Sequence, residues 1–438
     1  MKRALPPGNL GLPLIGETIA FLSDRNFATK RHQQYGDIFK TNLFGQSTIF
    51  LKGAEGNQFI LSNENEYFRV SWPPSVKALL GQLSLALQAG HEHISRRKLL
   101  AQAFQPRALS GYVEAMQSIS DRYFERWLEL GEFTWYPELR NYTLDIACKL
   151  LIGLDNGSET LLGHHYETWC EGLFSAPVKL PFTRFGKAFR SRTKLLAEIE
   201  TLVRARKTQP RQSGNDDALD LMLAAKDDER QGLSIEELKE QVLLLLFAGH
   251  ETLTSALASL CLLLAQNPEA LGKARAEQTE LRSQPLTFET LKQMTYLDRV
   301  LKEVLRVVPP VGGGFREIIQ HCEYQGYELP KGWQVLYQIN STHQDLSIYK
   351  DPNRFDPDRF NPERAEDRVK TFGHVPFGGG LRECLGKEFA RLEMKLFAAR
   401  LLREFNWQLL PGQDLSLVVI PTPKPKDGLQ VRFRQHSA

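Results

Sequence analysis

One cysteine lies in a glycine-rich stretch that runs from Phe377 to Gly386 and reads FGGGLRECLG. An amphipathic helical pattern begins directly after this stretch. Glycines let backbone amides approach the sulfur of Cys384, and the start of the following helix places a partial positive charge beside it. Both features stabilise a thiolate. The pattern therefore predicts a thiolate ligand of the kind that haem iron takes.

Two other interpretations of this stretch exist. Cys384 could be a buried structural cysteine in a tight turn, or the glycines could form a phosphate-binding loop. The phosphate loop is disfavoured because the Lys-Ser/Thr ending of such a loop is missing. The complete pattern F-x-x-G-x-R-x-C-x-G favours the thiolate ligand over the structural cysteine.

A second group of polar residues lies at the midpoint of a long predicted helix. Ser234 and Glu237 form a capping box, and the helical pattern continues to about Gln266, a length of roughly 50 Å. Both halves of this helix are apolar all round, so it must run through the centre of the fold. Its middle reads AGHET from Ala248 to Thr252. A buried carboxylate costs several kcal/mol, so we expect Glu251 to have a function; the alternative is a capped polar notch.

The sequence from Ala248 to Thr252 suits proton transfer. The glycine permits a local widening of the helix, the threonine hydroxyl can take a non-helical hydrogen bond, and the acid can pass protons. Further along, Glu303 and Arg306 are three residues apart on a helix predicted from Leu291 to Val307, so they face the same side and can pair. Such a pair is common on surface helices when it stands alone.

At these residues the sequence resembles the cytochrome P450 superfamily of haem-thiolate monooxygenases. The resemblance implies haem b as cofactor, Cys384 as its iron ligand, and Glu251 and Thr252 as the residues that deliver protons for oxygen activation. His250 is the variable position of that motif, and we do not expect it to bind iron. The family pattern also implies that Glu303, Arg306 and Arg359, the last in the stretch FDPDRF, form a buried network that braces the cysteine loop.

The resemblance also implies which residues surround the cofactor. His93 and Arg97, in an H-x-x-x-R pattern on a helix that begins near Gly90, are expected to bind the haem propionates together with Arg316 and Arg382. Ala248, Phe377 and Gly386 are expected to contact the haem. Four further basic residues lie near these positions: Arg96, Lys98, Lys387 and Arg391. Of these, Arg96 and Lys98 are expected to face solvent. The four together form either a docking surface for a redox partner or an ordinary solvated face.

Two stretches, Trp72–Gly81 and Pro309–Trp333, are similar to the branch of this superfamily that hydroxylates retinoic acid. One departure is Gly312, where the related pattern has proline. Six residues are expected to contact an apolar substrate: Trp72, Phe174, Phe182, Phe185, Val311 and Gly312. For the aromatic ones the alternative is ordinary core packing. Other possible substrates are fatty acids, sterols and terpenoids. A haem sensor or a thiolate-haem isomerase would not need Glu251 and Thr252, and a binding module without cofactor would leave Cys384, Glu251 and Arg382 unexplained.

The elements that position these residues are predicted to be mainly α-helical with a small antiparallel β region, the haem lying between the long central helix and the cysteine loop. Helical periodicity covers 118–128, 195–206, 286–307 and 386–405, whereas 47–52, 323–329 and 333–339 have strand character, the last two flanking a turn at Pro330–Gly332. A linker-like stretch at 208–217 is more consistent with a surface loop than with a domain boundary. We therefore expect a single domain over residues 1–438.

Composition sets outer limits on function. The chain has 438 residues, 42% apolar and 24% charged, with a formal net charge of +3, which does not favour nucleic-acid binding. Five scattered cysteines fit a reducing compartment, and prolines and glycines interrupt the N-terminal apolar stretch, so a cytoplasmic protein without a transmembrane anchor is expected. No flavin or iron-sulfur pattern is visible. The electrons are therefore expected from a separate ferredoxin and its reductase.

Overall fold

The structure, a computed structural model, describes residues 4–12, 15–24, 26–209, 216–228, 230–419 and 421–436. Of the described residues, 56% are helical. The helices are α1 (Thr18–Ser23), α2 (Phe27–Tyr35), α3 (Gly53–Ser62), α4 (Pro74–Leu80), α5 (Gly90–Ala101), α6 (Pro106–Leu130), α7 (Trp135–Ile152), α8 (Leu161–Leu173), α9 (Arg184–Thr208), α10 (Ala218–Ala224), α11 (Ile235–Gln266), α12 (Pro268–Glu280), α13 (Phe288–Gln293), α14 (Thr295–Val307), α15 (Ile339–His343) and α16 (Lys387–Glu404). The strands are β1 (Ile38–Leu43), β2 (Gln46–Leu51), β3 (Phe68–Val70), β4 (Glu132–Thr134), β5 (Gly313–Ile318), β6 (Cys322–Tyr324), β7 (Tyr327–Leu329), β8 (Gln334–Gln338), β9 (Phe405–Leu409), β10 (Leu417–Val418), β11 (Lys424–Pro425) and β12 (Gln430–Gln435).

The chain forms two compact units, each built from separate segments. The first unit comprises residues 1–72, 311–354 and 358–384, and the second comprises 73–310, 355–357 and 385–438. Both sides of the linker-like stretch at 208–217 belong to the second unit, although residues 210–215 lie outside the described residues. This stretch therefore does not divide the two units. The expectation of a single domain stays a prediction.

The first unit is organised around a five-stranded sheet with the order β1-β2-β8-β5-β3. Neighbouring strands are antiparallel except for β2 and β8, which are parallel and pair Phe50 with Leu336. The apolar side chains on one face of this sheet are buried against α3, and those on the other face are buried against α2. The sheet places β5, which carries Arg316, at a central position between β8 and β3.

The second unit is mainly helical, and α11 is its longest helix. The capping box predicted at its start is present, because Ser234 accepts from the amide of Glu237 and Glu237 accepts from the amide of Ser234. The helix is long and apolar enough to cross a membrane, but 72% of its most apolar window is buried inside the protein. It is a core helix, as the polar residues at its midpoint predicted.

Two sequence predictions about elements differ from the structure in detail. The helix predicted over 286–307 is broken at Met294 into α13 and α14, because the carboxylate of Glu277 accepts the amides of Tyr296 and Leu297 and so caps a new helix there. The strand predicted over 323–329 is a hairpin of β6 and β7. Its turn lies at Gln325 and Gly326, both of which have positive φ.

Candidate active site

The loop before Cys384 is closed by its own backbone. The amide of Cys384 donates to the carbonyl of Phe377 at 2.8 Å, and the amide of Gly378 donates to the carbonyl of Val375 at 3.0 Å. The Cys384 residue is exposed, in contrast to Cys148, Cys261 and Cys322, which are buried. An exposed cysteine at the end of a fixed loop is suited to bind a group from outside the loop, so the structural-cysteine interpretation does not fit this geometry.

The glycines of this loop are required by close contacts. A Cβ atom at Gly380, which has a φ of +64°, would lie 2.2 Å from the carbonyl oxygen of Leu61 on α3. At Gly379 a Cβ would lie 2.6 Å from the ring of Phe372. Neither position has room for a side chain, because the cysteine loop packs tightly against α3 at Gly380 and against Phe372 at Gly379.

Arg316 and Arg382 both contact the same carboxylate. Arg316 Nε lies 2.8 Å from Glu64 Oε2, and Arg382 Nε lies 2.5 Å from Glu64 Oε1. Arg382 ends a 3-10 turn at Gly380–Arg382, two residues before the cysteine. The two arginines expected at the haem propionates are thus neighbours in the first unit, and Glu64 is a residue that the sequence did not single out.

The middle of α11 has one open face on an otherwise buried helix. Ala248 is exposed and Thr252, one turn later, is partly exposed. The Thr252 hydroxyl donates to the Ala248 carbonyl at 2.7 Å. The helix is regular from Ile235 to Gln266, so the widening that Gly249 permits is not present in this structure. The small side chain of Ala248 leaves room for a flat group against this face, and Thr252 places a hydroxyl beside it.

Glu251 is turned away from that open face into a buried ion pair. Its residue is 4% exposed. Its Oε1 lies 2.9 Å from Arg140 Nη1 and 3.3 Å from His250 Nδ1. Burial alone would raise the pKa of Glu251, but the close contact with His250 and the positive charge of Arg140 outweigh it and lower the pKa to about 2. Glu251 is therefore a carboxylate at neutral pH.

Arg140 connects this buried carboxylate to the surface. On its other side Arg140 Nη2 lies 2.6 Å from Glu167, which is much more exposed than Glu251. Burial is the largest single influence on the pKa of Arg140 and alone would lower it. The negative charges of Glu251 and Glu167 act in the opposite direction, and the pKa is raised. A row of charged groups thus leads from solvent to the middle of α11. The sequence contained no signal for this row, because Arg140 lies on α7 and is remote from Glu251 along the chain.

His250 is fully buried and occupied on both ring nitrogens. Its Nδ1 lies 3.2 Å from the hydroxyl of Tyr166, and its Nε2 lies 3.0 Å from the carbonyl of Arg140. These contacts hold the imidazole within the packing of α7, α8 and α11. This placement supports the expectation that His250 is not an iron ligand.

Glu303 and Arg306 form the ion pair that their spacing predicts. Arg306 donates to both carboxylate oxygens of Glu303, at 2.7 and 2.9 Å, and both side chains have no exposed area. Glu303 also accepts the amide of Asp356 at 2.8 Å. Arg359 lies in the first unit, where it donates to Glu366 and to the carbonyl of Lys350. That these three residues brace the cysteine loop together stays a prediction.

The remaining residues expected near the cofactor and substrate have mixed exposure. His93 is buried and Arg97 is half-buried on α5, which begins at Gly90 as predicted. Among the expected substrate residues, Trp72 is half-buried and Phe185 is buried, whereas Phe174, Val311 and Gly312 are exposed and Phe182 is 75% exposed. Phe182 therefore lies on the surface, where it does not line an enclosed cavity.

Gly312 has a local reason for departing from the related pattern. A Cβ at this position would lie 2.8 Å from the side-chain amide nitrogen of Asn340, and the Gly312 carbonyl accepts the amides of Ile339 and Asn340. A larger residue would have to displace Asn340.

The expectation that Arg96 faces solvent is wrong. Arg96 Nε lies 2.5 Å from Glu237 at the start of α11. Lys98 and Arg391 are paired as well, with Asp228 and Asp298, at 2.9 and 2.7 Å. Acidic residues from neighbouring segments neutralise much of this surface, which weakens the interpretation of Arg96, Lys98, Lys387 and Arg391 as a basic docking surface.

Comparisons with known proteins cover nearly the whole chain. Residues 6–431 match the family described as Cytochrome P450. The chain belongs to the cytochrome P450 family. A relative from Synechocystis, named cytochrome P450 120, is 55% identical over 98% of this chain and 96% of its own length. The Gallus gallus protein named Cytochrome P450 26A1 is 38% identical over 98% of this chain and 90% of its own.

Solved structures extend the comparison to the fold. The structure titled "Retinoic acid bound cyanobacterial CYP120A1" superimposes with a TM-score of 0.95 at 54% identity and covers both chains completely. A second one, the haem domain of cytochrome P450DA, has a TM-score of 0.88 at 23% identity and shows the shared fold alone. The fold predicted from the sequence is thus confirmed as that of a cytochrome P450.

As a member of this family, the protein is a monooxygenase that uses haem b and receives electrons from a redox partner. The residues in place fit such a cofactor. In the first unit, Cys384 supplies an exposed thiol, and Arg316 and Arg382 supply cationic groups suited to carboxylates. In the second unit, Ala248 and Thr252 present an open face of α11. In the described residues no group of three or more His, Cys, Asp and Glu side chains could hold a metal ion by itself.

Proposed function

We propose that this cytochrome P450 hydroxylates a retinoid such as retinoic acid, in the cytoplasm, with electrons from a ferredoxin and its reductase. The observation that carries the substrate class is the 54% identity, over the complete chain, to a protein whose solved structure is titled as retinoic-acid bound. The stretches Trp72–Gly81 and Pro309–Trp333, which are similar to the retinoic-acid hydroxylase branch, support the same class.

The proposal gives each part of the chain a task. Cys384 binds the haem iron, and four basic residues bind the propionates: His93, Arg97, Arg316 and Arg382. A haem held by Cys384 would supply the oxygen-activating chemistry, and the thiolate would supply electron density to its iron. Ala248, Phe377 and Gly386 contact the haem, and the bracing of the loop by Glu303, Arg306 and Arg359 keeps the thiol in position.

The protein's own chemical contribution is delivery of protons. We assign this task to Glu251 and Thr252, because Thr252 presents a hydroxyl on the open face of α11 and Glu251, the residue before it, turns from that face into the ion pair with Arg140. The ion pairs of Glu251 with Arg140, and of Arg140 with Glu167, connect this position to solvent. Trp72, Val311 and Gly312 remain the proposed substrate contacts. Phe174 and Phe182 are left out because neither lies in the stretches Trp72–Gly81 and Pro309–Trp333 that resemble the retinoic-acid hydroxylase branch.

The substrate class is tested by optical titration of the purified haem protein with retinoic acid, palmitic acid, a sterol and a terpenoid. We expect retinoic acid to shift the Soret band at the lowest concentration and to give a hydroxylated product with a surrogate ferredoxin and reductase. Tighter binding and turnover of palmitic acid, the sterol or the terpenoid would replace the retinoid proposal. No substrate-dependent consumption of NAD(P)H, together with rearrangement of an added peroxide, would indicate an isomerase instead. A haem sensor would show neither reaction.

Removing the hydroxyl of Thr252 is expected to separate electron use from product formation. In Thr252→Ala, haem should stay bound because the side chain is small and partly exposed, but protons would reach the site without control. Product per NAD(P)H should then fall by about tenfold or more, within the range of general acid–base effects, with hydrogen peroxide making up the difference. Thr252→Ser keeps a hydroxyl and should restore most of the coupling. Equal coupling in all three proteins would remove Thr252 from the relay.

Removing the guanidinium of Arg140 is expected to change the pH dependence of coupling. The pKa of Glu251 is about 2 because His250 and Arg140 lower it against the effect of burial. Because the pKa of Glu251 is lower in the folded protein than in the unfolded chain, its ionisation stabilises the folded state at every pH above the unfolded pKa. This stabilisation is lost as the pH falls toward the pKa of the folded state. In Arg140→Gln burial remains while one positive charge is lost, so the pKa of Glu251 should rise toward neutrality.

The measurement is product per NAD(P)H between pH 5.5 and 8. Ionisation of Glu251 leaves the wild-type profile flat in this range, whereas Arg140→Gln should show a new transition within it. Arg192→Gln is a matched control. Arg192 lies on α9 and pairs with Glu240, which is on α11 like Glu251, but Arg192 does not contact Glu251. Profiles that coincide for the wild type and Arg140→Gln would show that Arg140 does not set the ionisation of Glu251.

A further inference from the structure

Glu64 lies where three parts of the first unit meet. It follows the end of α3, in a turn where Asn65 has a φ of +69° and donates its amide to the carbonyl of Phe68 at 2.7 Å. Arg316 reaches it from β5, and Arg382 reaches it from the turn two residues before Cys384. One side chain therefore joins a helix end, a central strand and the cysteine loop.

The contacts divide the carboxylate between the two arginines. Glu64 Oε2 accepts Nε of Arg316 at 2.8 Å, and Oε1 accepts Nε of Arg382 at 2.5 Å. The side chains of Glu64, Arg316 and Arg382 are only 2%, 6% and 9% exposed. Each guanidinium is thus fixed through its Nε edge by a buried, charge-assisted hydrogen bond, which sets the direction of the rest of its plane.

Two guanidinium groups meet at the Glu64 carboxylate in a nearly buried place. The planar fork of a guanidinium also suits the carboxylate of a ligand. Arg316 is also stacked near the ring of Tyr337, with its Cζ 5.2 Å from the ring centre. The fixed, cationic pair is therefore a preformed place for a carboxylate.

From this geometry we infer that Glu64 is a positioning residue that sets the orientation of Arg316 and Arg382 toward the haem propionates. The inference rests on the proposed function, which assigns the propionates to these two arginines. Glu64 touches neither substrate nor cofactor in this assignment. It acts through the two guanidinium groups, and its negative charge contributes to the electrostatic environment of the iron.

The test replaces Glu64 by glutamine in the haem-loaded protein. An amide has one acceptor oxygen, so it can serve only one of the two arginines and turns a donor toward the other. We expect haem to be lost to apomyoglobin about tenfold faster, in line with the effect of removing partners of cofactor-binding groups. The ferric–ferrous midpoint potential should become more positive, because a negative charge near the haem is lost and the reduced iron carries one positive charge less.

Two further variants separate positioning from general stability. Glu64→Asp keeps the charge and both acceptors on a shorter stem, so its potential should remain close to that of the wild type. If Glu64→Gln does not fold, the rate of haem loss from Glu64→Asp is compared with that from the wild type. The shorter side chain of aspartate should accelerate haem loss if Glu64 positions the arginines. Glu317→Gln is the matched control: Glu317 is next to Arg316 on β5, but its carboxylate pairs at the surface with Arg69. It should leave both measurements unchanged.

The same experiment distinguishes this inference from the proposed function. If Arg316→Gln and Arg382→Gln accelerate haem loss while Glu64→Gln and Glu64→Asp do not, the positioning role is wrong and the propionate assignment stands. If neither arginine variant affects haem loss, the propionate assignment itself fails. Support requires, in addition, that Glu64→Gln has little further effect in the Arg382→Gln background, since residues that act through one another are not additive.

Discussion

Cys384→Ser is expected to abolish the strongly red-shifted absorption band that the dithionite-reduced, carbon-monoxide-treated protein should show. That band requires a thiolate on the iron, and serine cannot supply a thiolate. Monooxygenase turnover should fall below detection, because electron donation from the thiolate is what favours cleavage of the O–O bond. The backbone of the loop should be unaffected, since its closing hydrogen bond from Cys384 to Phe377 uses the main-chain amide.

The matched control for this prediction is Cys322→Ser. Cys322 lies in the same unit on β6, where it is buried in the apolar packing of the sheet. Its substitution should cost some stability, because a hydroxyl is placed among apolar groups, and should leave the red-shifted band in position. A red-shifted band that persists in Cys384→Ser would refute the ligand assignment.

Arg306→Ala is expected to destabilise the fold more than any surface substitution. Arg306 and Glu303 have no exposed area and share two hydrogen bonds, so removal of the arginine leaves a buried carboxylate without its counter-charge. Breaking a pair of this kind costs about 3–5 kcal/mol of the free energy of unfolding. Urea unfolding followed by circular dichroism measures the difference from the wild type.

A surface pair with the same spacing provides the comparison. Lys292 and Glu289 are also three residues apart on a helix and lie 2.9 Å from each other, but both are largely exposed. Lys292→Ala should change the free energy of unfolding by less than about 1 kcal/mol. The double variant Glu303→Leu/Arg306→Met should be less destabilised than Arg306→Ala, because it removes both charges of this pair together. Equal losses for Arg306→Ala and Lys292→Ala would contradict the view that burial makes the first pair important.

Local signals in the sequence predicted a large part of this protein. The capping box at Ser234 located the start of α11, and Gly380 marked a loop with no room for a side chain. The spacing of Glu303 and Arg306 predicted their pairing. Each of these features depends on residues within a few positions of one another, where helix geometry and backbone conformation determine what can touch. The same local patterns carried the resemblance to the cytochrome P450 family.

Predictions from local sequence were wrong where a residue from a distant segment contacts the predicted element. The carboxylate of Glu277 begins α14 at a point where the periodicity alone predicted one continuous helix. Similarly, Arg96 was expected to face solvent, but the start of α11 brings Glu237 to it. In both cases a charged group from another helix decides the outcome, and hydrophobic periodicity contains no information about such a group.

The sequence by itself indicated the family, the cysteine proposed as iron ligand, the polar residues at the middle of the central helix and the helical character of the fold, because each depends on residues that are close together in the chain. Only the tertiary structure decided which partners those residues have. Arg140 meets Glu251, and Glu64 joins Arg316 to Arg382, across long separations in sequence. Electrostatic interactions depend on distance in space and on burial, and both quantities exist only once the chain has folded.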